Sequence, residues 1–125
     1  MKASDLYNTL NGSSSGETLS KNISNEVDKY KFQLQKKGSS IPIYFIEDKD
    51  IFLTKSFLRK LLNDVYEGTL SNIHLAYICD CLTLGEKVTF EDEVLKDIIY
   101  EAADPEINGG FKNSNEILSF IHMIN

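Results

Sequence analysis

The strongest constraint in this sequence is a series of short apolar blocks at helical spacing, each bounded by glycine, proline or a capping residue. One block runs over residues 57–65, between a cap at Thr54 or Ser56 and a stop at Gly68. A helix of this length buries only one face, so several such helices must pack against one another. The predicted fold is therefore mainly α, a compact antiparallel helical bundle with short connections.

One block predicts the centre of the fold. Residues 73–84 are apolar on most sides, follow a cap at Thr69 or Ser71 and end at Gly85, which is the pattern of a helix buried nearly all round. Asp80 interrupts the stretch, and no apolar run approaches the roughly 20 residues that cross a bilayer. We therefore expect the most buried helix here and no membrane span.

Two more helices are predicted towards the C-terminus. The first begins at Thr89, with Asp92 as N3 of a capping-box variant, and ends before Pro105. Its predicted buried face consists of Val94, Leu95, Ile98, Ile99 and Ala102. The last helix is capped by Asn113 and Glu116 and completes the bundle.

The first third of the chain has weaker signals. Residues 4–10 predict a short helix, and residues 11–16, rich in glycine and serine, predict a flexible loop. Residues 18–37 predict one helix with a narrow apolar stripe. The length of 125 residues fits one domain, here 1–125. Residues 1–17 lack the apolar core of a secretory signal, so a cytoplasmic location is expected.

Residues 41–54 are the one segment that departs from the helical pattern. The β-branched and aromatic run 41–46 predicts an extended segment, which Pro42 restricts to an edge position. If residues 51–54 were extended as well, the charged residues 47–50 would close a hairpin. Either a short extended segment or a hairpin is expected here.

The residue types that often carry chemistry are sparse and badly spaced. Cys79 and Cys81 lie two apart in a predicted helix, where their side chains diverge and cannot share one metal ion, so buried reduced thiols are expected. His74 and His122 have neither a nucleophile nor metal-ligand spacing beside them, and structural roles are expected. The sequence predicts a protein without a cofactor or metal, and not an enzyme.

Charge is distributed unevenly along the chain. Residues 1–62 carry ten Lys+Arg against seven Asp+Glu, whereas residues 63–125 carry three against twelve. Residues 86–106 hold eight acids and two lysines. The overall net charge of −6 argues against nucleic acid as a partner. The acidic segment is either a solvated helix face or a docking surface for a basic partner, since clustered charge speeds association with the opposite sign.

Three pieces of the sequence carry a resemblance. They are GTLS at residues 68–71 leading into a helix with Leu75, Ile78 and Leu82, VTFEDE at 88–93, and DPEING at 104–109. Across residues 58–111 the chain resembles small bacterial immunity proteins of toxin systems, particularly those of contact-dependent growth inhibition. Because such families share no catalytic signature, the resemblance transfers no functional residue.

The resemblance implies a protein that binds and neutralises a cognate toxin domain, commonly a nuclease. An acidic helical surface would suit the positive cleft of such a toxin, with Tyr100 as a candidate anchor or a core-edge residue. The predicted partner-binding residues, called the acidic surface below, are Glu91, Asp92, Glu93, Asp97, Tyr100, Glu101, Asp104 and Glu106. The free protein is expected to be a monomer. The alternative is an adaptor or regulatory interaction domain that docks through residues 18–37.

Overall fold

The computed structural model describes residues 1–36 and 42–125. Over these residues the chain forms seven helices and two strands. In chain order they are α1 (Ala3–Leu10), α2 (Gly16–Asn22), α3 (Ser24–Leu34), β1 (Ile51–Leu53), α4 (Lys55–Tyr66), α5 (Asn72–Leu84), β2 (Val88–Phe90), α6 (Glu93–Ala102) and α7 (Ser114–Met123). The mainly α prediction is confirmed, with the addition of a small parallel sheet. The antiparallel order of the bundle stays a prediction.

Helix α5 is the centre of the core, as its sequence predicts. Its residues 75–79 are all buried, and it contacts α3, α4 and α6. The predicted cap is Ser71, whose hydroxyl accepts the His74 backbone N–H, while the His74 ring accepts the Ser71 N–H. His74 therefore has the structural role expected of it. Leu84 is the exception on this helix, since its side chain is 66% exposed.

The single helix predicted over residues 18–37 is wrong, because the structure has α2 and α3 with a break at Ile23. The Ser24 hydroxyl donates to the Lys21 carbonyl at 3.1 Å, a local bond of the kind that competes with helix continuation. The apolar stripe is nevertheless buried in the core along its first four members, which are Leu19, Ile23, Val27 and Tyr30. Helix α3 ends at Leu34, earlier than the predicted end at Lys37, and the predicted stop at residue 38 lies outside the described residues.

The loop predicted over residues 11–16 ends one residue earlier than expected. Gly16 is the buried first residue of α2, and the Ser15 hydroxyl caps the helix by accepting the Thr18 N–H at 3.1 Å. A Cβ at Gly16 would lie 2.7 Å from Asp64 Oδ2, so the close approach of α4 favours glycine. The flexibility of the remaining loop stays a prediction.

The hairpin predicted near residues 41–54 is wrong, although an extended segment does occur there. Strand β1 pairs in parallel with β2, with Ile51 opposite Val88 and Leu53 opposite Phe90. Parallel strands need a long crossover, which α4 and α5 supply. Ile46 forms an isolated parallel bridge with Lys2, whereas residue 41 lies outside the described residues.

The second strand also corrects the predicted start of α6. Thr89 belongs to β2 and is not the cap. Asp92 is the cap itself, and its carboxylate accepts the Leu95 N–H at 3.0 Å. At the other end of the chain the predicted pair is confirmed, because Asn113 and Glu116 form a reciprocal capping box on α7.

Gly85 joins α5 to β2 at a point where the chain is crowded. Its φ is −69°, so the backbone conformation does not require glycine. A Cβ there would lie 2.7 Å from Val88 Cγ2 and 2.8 Å from Glu47 Oε1. The Glu47 carboxylate is itself fixed, because it accepts the backbone N–H groups of Glu86 and Lys87. Lack of space therefore explains the glycine.

Gly85→Ala is expected to lower the free energy of unfolding by about 1–3 kcal/mol, as overpacking does when neighbours cannot move freely. Urea denaturation of the purified variant measures this loss. Glu86→Ala, at the exposed neighbouring position, should stay within about 0.5 kcal/mol of the parent. Equal stability of both variants would contradict the steric account of Gly85.

Candidate protein-binding surface

Helix α6 carries the middle of the acidic surface. Its buried face, Leu95, Ile98, Ile99 and Ala102, packs in the core, and α6 contacts α5. Helical periodicity then places Glu93, Asp97, Tyr100 and Glu101 together on the outer face, at steps of four, three and one. All four are exposed.

Val94 does not belong to the buried face of α6, in contrast to the prediction. Its side chain is 43% exposed. Position 94 lies about 90° round the helix from the centre of the buried face, so the core only reaches its edge. The outer part of α6 therefore presents one more apolar side chain than the sequence pattern indicates.

Two of the four acids that flank α6 have structural hydrogen-bond partners. Glu91 accepts the backbone N–H of Lys55 at 2.7 Å through its carboxylate, which ties β2 to the start of α4. Asp92 caps α6. Asp104 adopts a left-handed backbone conformation with φ of 47° and is half-buried after the helix. Glu106 is exposed in the following turn.

The eight predicted residues form a belt and not one flat patch. Glu91, Asp92 and Glu93 border a groove of about 640 Å³ beside β2. Asp104 and Glu106 border a second groove on the other side of Tyr100, and Tyr100 borders both. Glu101 faces a third depression, against α7. The structure thus brings six of the eight residues to two grooves that meet at Tyr100.

The cations of the described residues form no ion pair with these acids. Among residues 1–36 and 42–125, ion pairs within 4.0 Å join the Met1 α-amino group to Glu26, Lys60 to Asp64 and Lys112 to Glu116. None involves the acidic surface over that part of the chain. The ammonium of Lys96, on α6, lies 5.8 Å from the centre of the Tyr100 ring. The negative charge of α6 is therefore available to a partner.

Asp80 is the residue of this region that sequence reasoning missed. It projects from α5, half-buried, and accepts the Tyr30 hydroxyl at 2.5 Å and the Asp104 backbone N–H at 2.7 Å. Burial raises the pKa of the Asp80 carboxyl and the nearby Asp104 charge raises it too, while both hydrogen bonds act in the opposite direction. A lone acid in an otherwise apolar helix was the available signal, because such a group needs a buried partner.

The cysteines behave as the sequence predicts. Cys79 and Cys81 are free thiols buried in the core. Burial raises the pKa of the Cys79 thiol well above its ordinary value and that of Cys81 to about 12. In the described part of the chain, no group of three or more His, Cys, Asp or Glu side chains is arranged to hold a metal ion.

Comparisons of the chain with protein-family models, with curated proteins and with solved structures found no match. The resemblance to immunity proteins therefore stays an expectation. As for a membrane, none of the helices in the described residues combines the length and apolar character that crossing a bilayer requires.

Tyr30→Phe is expected to lower the free energy of unfolding by about 1–2 kcal/mol near neutral pH, because Asp80 loses a hydroxyl donor while the ring packing is kept. The hydroxyl stabilises the ionised carboxylate, so its removal raises the pKa of Asp80 further. The decrease in the free energy of unfolding caused by Tyr30→Phe should therefore be largest above the pKa of Asp80 and become smaller as the pH falls through that pKa.

Urea denaturation at neutral and at acidic pH measures this dependence. Tyr44→Phe is the matched control, because Tyr44 is 54% exposed and its substitution should change little at either pH. A Tyr30→Phe loss that grew on acidification would contradict the assigned role of the hydroxyl.

Proposed function

We propose that this protein is a non-catalytic immunity protein, which binds and neutralises a cognate toxin domain in the cytoplasm. The observation that carries the proposal is the set of seven carboxylates of the acidic surface, none of which has an ion-pair partner within 4.0 Å in residues 1–36 and 42–125. The outer face of α6 is negative apart from Lys96, which lines the same groove as Glu93. On a helix packed into the core, such a face offers a fixed pattern of charge to a cationic protein. The toxin domain is proposed to be a basic nuclease, and the free inhibitor a monomer.

The physical mechanism separates into attraction and anchoring. Unpaired carboxylates attract a positive surface over about 8–10 Å at physiological ionic strength and raise the association rate. Affinity itself requires a few large side chains that become buried. Tyr100 suits this role, because it is 46% exposed at the middle of the belt and its ring has few rotatable bonds.

Docking of an adaptor through residues 18–37 loses support, because the apolar stripe of that segment is mostly buried. That alternative offered the predicted helix 18–37 as an example of a docking element, whose exposed apolar residues would contact the partner. Four of the five, up to Tyr30, are buried in the protein's own core, and Leu34 is partly buried against it. The acidic surface remains the better supported binding face.

Replacing Glu93, Asp97 and Glu101 with lysine is expected to weaken toxin binding by about tenfold or more at low salt, since each substitution turns an attraction into a repulsion. The difference in toxin-binding affinity between parent and variant should decrease as the salt concentration rises. Titration calorimetry with the product of the adjoining upstream gene, rendered inactive, measures the affinity. Co-expression with the active form tests whether cells survive.

The matched control replaces Asp28, Asp50 and Glu67, which are exposed and lie away from α6, with lysine. Both triple variants change the net charge by the same amount, so only the location differs. Equal affinities of the two variants would remove the acidic surface from the proposal. Failure of the parent protein to bind or protect would reject the immunity function.

A further inference from the structure

A groove of about 550 Å³ lies between the end of α5 and the turn that follows α6. Its apolar wall contains Leu84, Tyr100 and Ile107, and its charged side contains Asp80, Asp104 and Glu106. We call it the Asp80 groove. Only Tyr100, Asp104 and Glu106 belong to the acidic surface that the sequence predicts.

The apolar wall is unusually open to water. The side chain of Ile107 is 78% exposed, that of Leu84 66% and that of Tyr100 46%. Single exposed apolar residues need no explanation, but three large ones around one groove form an apolar wall against which a partner side chain can pack. Leu84 adds to this indication because it ends a helix whose other apolar positions are buried or half-buried.

The charged side of the groove is negative and held in place. Within the described residues no lysine or arginine lines it. Asp80 is fixed by the Tyr30 hydroxyl and by the Asp104 backbone N–H. The turn is fixed too, because the Asn108 amide donates to the carbonyl of Ala103 at 2.6 Å and to that of Tyr100 at 3.1 Å. A cation that enters the groove therefore meets the Asp80 carboxylate already in position.

We infer that the Asp80 groove receives an arginine side chain from the partner protein, an inference that rests on the proposed function. The guanidinium would bind the carboxylates of Asp80 and Asp104, and its flat face would stack on Tyr100. The aliphatic stem and an apolar neighbour in the partner would cover Leu84 and Ile107. A bare metal ion would leave the apolar wall exposed, and an apolar side chain would leave the carboxylates desolvated without a partner.

A second copy of this chain does not meet that requirement. The sequence contains one arginine, Arg59. Its guanidinium already donates to the Ile124 carbonyl and to the Asn125 side chain, both at 3.2 Å, and so holds the end of the chain against α4. The 125 residues of the sequence therefore supply no second arginine, and we assign the arginine to another protein.

Three blocked tripeptides test the groove without the toxin: acetyl-Leu-Arg-Leu-amide and its citrulline and lysine counterparts. Titration of the full ¹⁵N-labelled chain, followed by NMR, gives the affinity and the residues affected. We expect shifts at the backbone N–H groups of residues 83–84, 103–104 and 106–108. The citrulline peptide, which keeps the shape and loses the charge, should bind at least about fivefold more weakly, and the lysine peptide about threefold more weakly.

Ile107→Ser should lower the affinity for the arginine peptide by about threefold or more, whereas Met123→Ser should leave that affinity unchanged. Both side chains are exposed, 78% and 54%, so neither substitution should disturb the fold, but Met123 borders a different depression. Equal binding of the arginine and citrulline peptides, equal binding of the arginine and lysine peptides, or shifts centred on α7 would each overturn the inference.

Toxin binding by a Leu84→Ser, Ile107→Ser double variant, together with the peptide titrations, distinguishes this inference from the proposed function. If the toxin binds the parent chain and the Leu84→Ser, Ile107→Ser double variant equally well, the groove is rejected as its docking site while the immunity function stands. If the toxin does not bind but the peptides discriminate as expected, the immunity function is rejected and the arginine site remains.

Discussion

The hydrogen bond from the Tyr30 hydroxyl to Asp80 is the contact on which much of this structure depends. Helix α5 is buried along most of its length, and Asp80 is the one charged residue within it. Leaving a carboxylate at that depth without a donor would be costly, whereas Tyr30 from α3 and the backbone of Asp104 after α6 both donate to it. One side chain thus joins three parts of the chain that are distant in sequence, and the same side chain faces the groove between them.

Local chemistry explains why so many helix boundaries are predictable. The caps Thr54, Ser71 and Asn113 each accept the backbone N–H three residues later, so the sequence contains everything that their hydrogen bonds need. The parallel pairing of β1 with β2 has no such local signal, because it joins residues 37 apart through two intervening helices. Three-residue strands are too short for alternation to be distinguished from a cap or a loop, which is why Thr89 looks like the start of a helix.

The candidate site also has one part that the sequence predicts and one part that depends on tertiary structure. Periodicity alone predicts that the residues at 93, 97 and 101 share the outer face of α6, and the structure has them there. The Asp80 groove lies beyond that reasoning, since it combines the end of α5 with a turn more than twenty residues later. The exposure of Leu84 and Ile107 is equally hidden in the sequence, where both look like ordinary core residues. Only tertiary structure shows that nothing in the described chain covers them fully.

These two features suggest how one small domain could combine fast and selective binding. In the proposed complex, charges on the outer face of α6 would act at a distance and would govern the rate of encounter and its dependence on salt. The groove acts at contact, where fixed carboxylates and an apolar wall must match one side chain in shape as well as charge, and it would govern the dissociation rate. Tyr100 borders the groove and also lies on the outer face of α6. In the proposed complex it would therefore lie between the attracting charges and the contact site. A partner with positive charge but no suitably placed arginine would then be attracted and released.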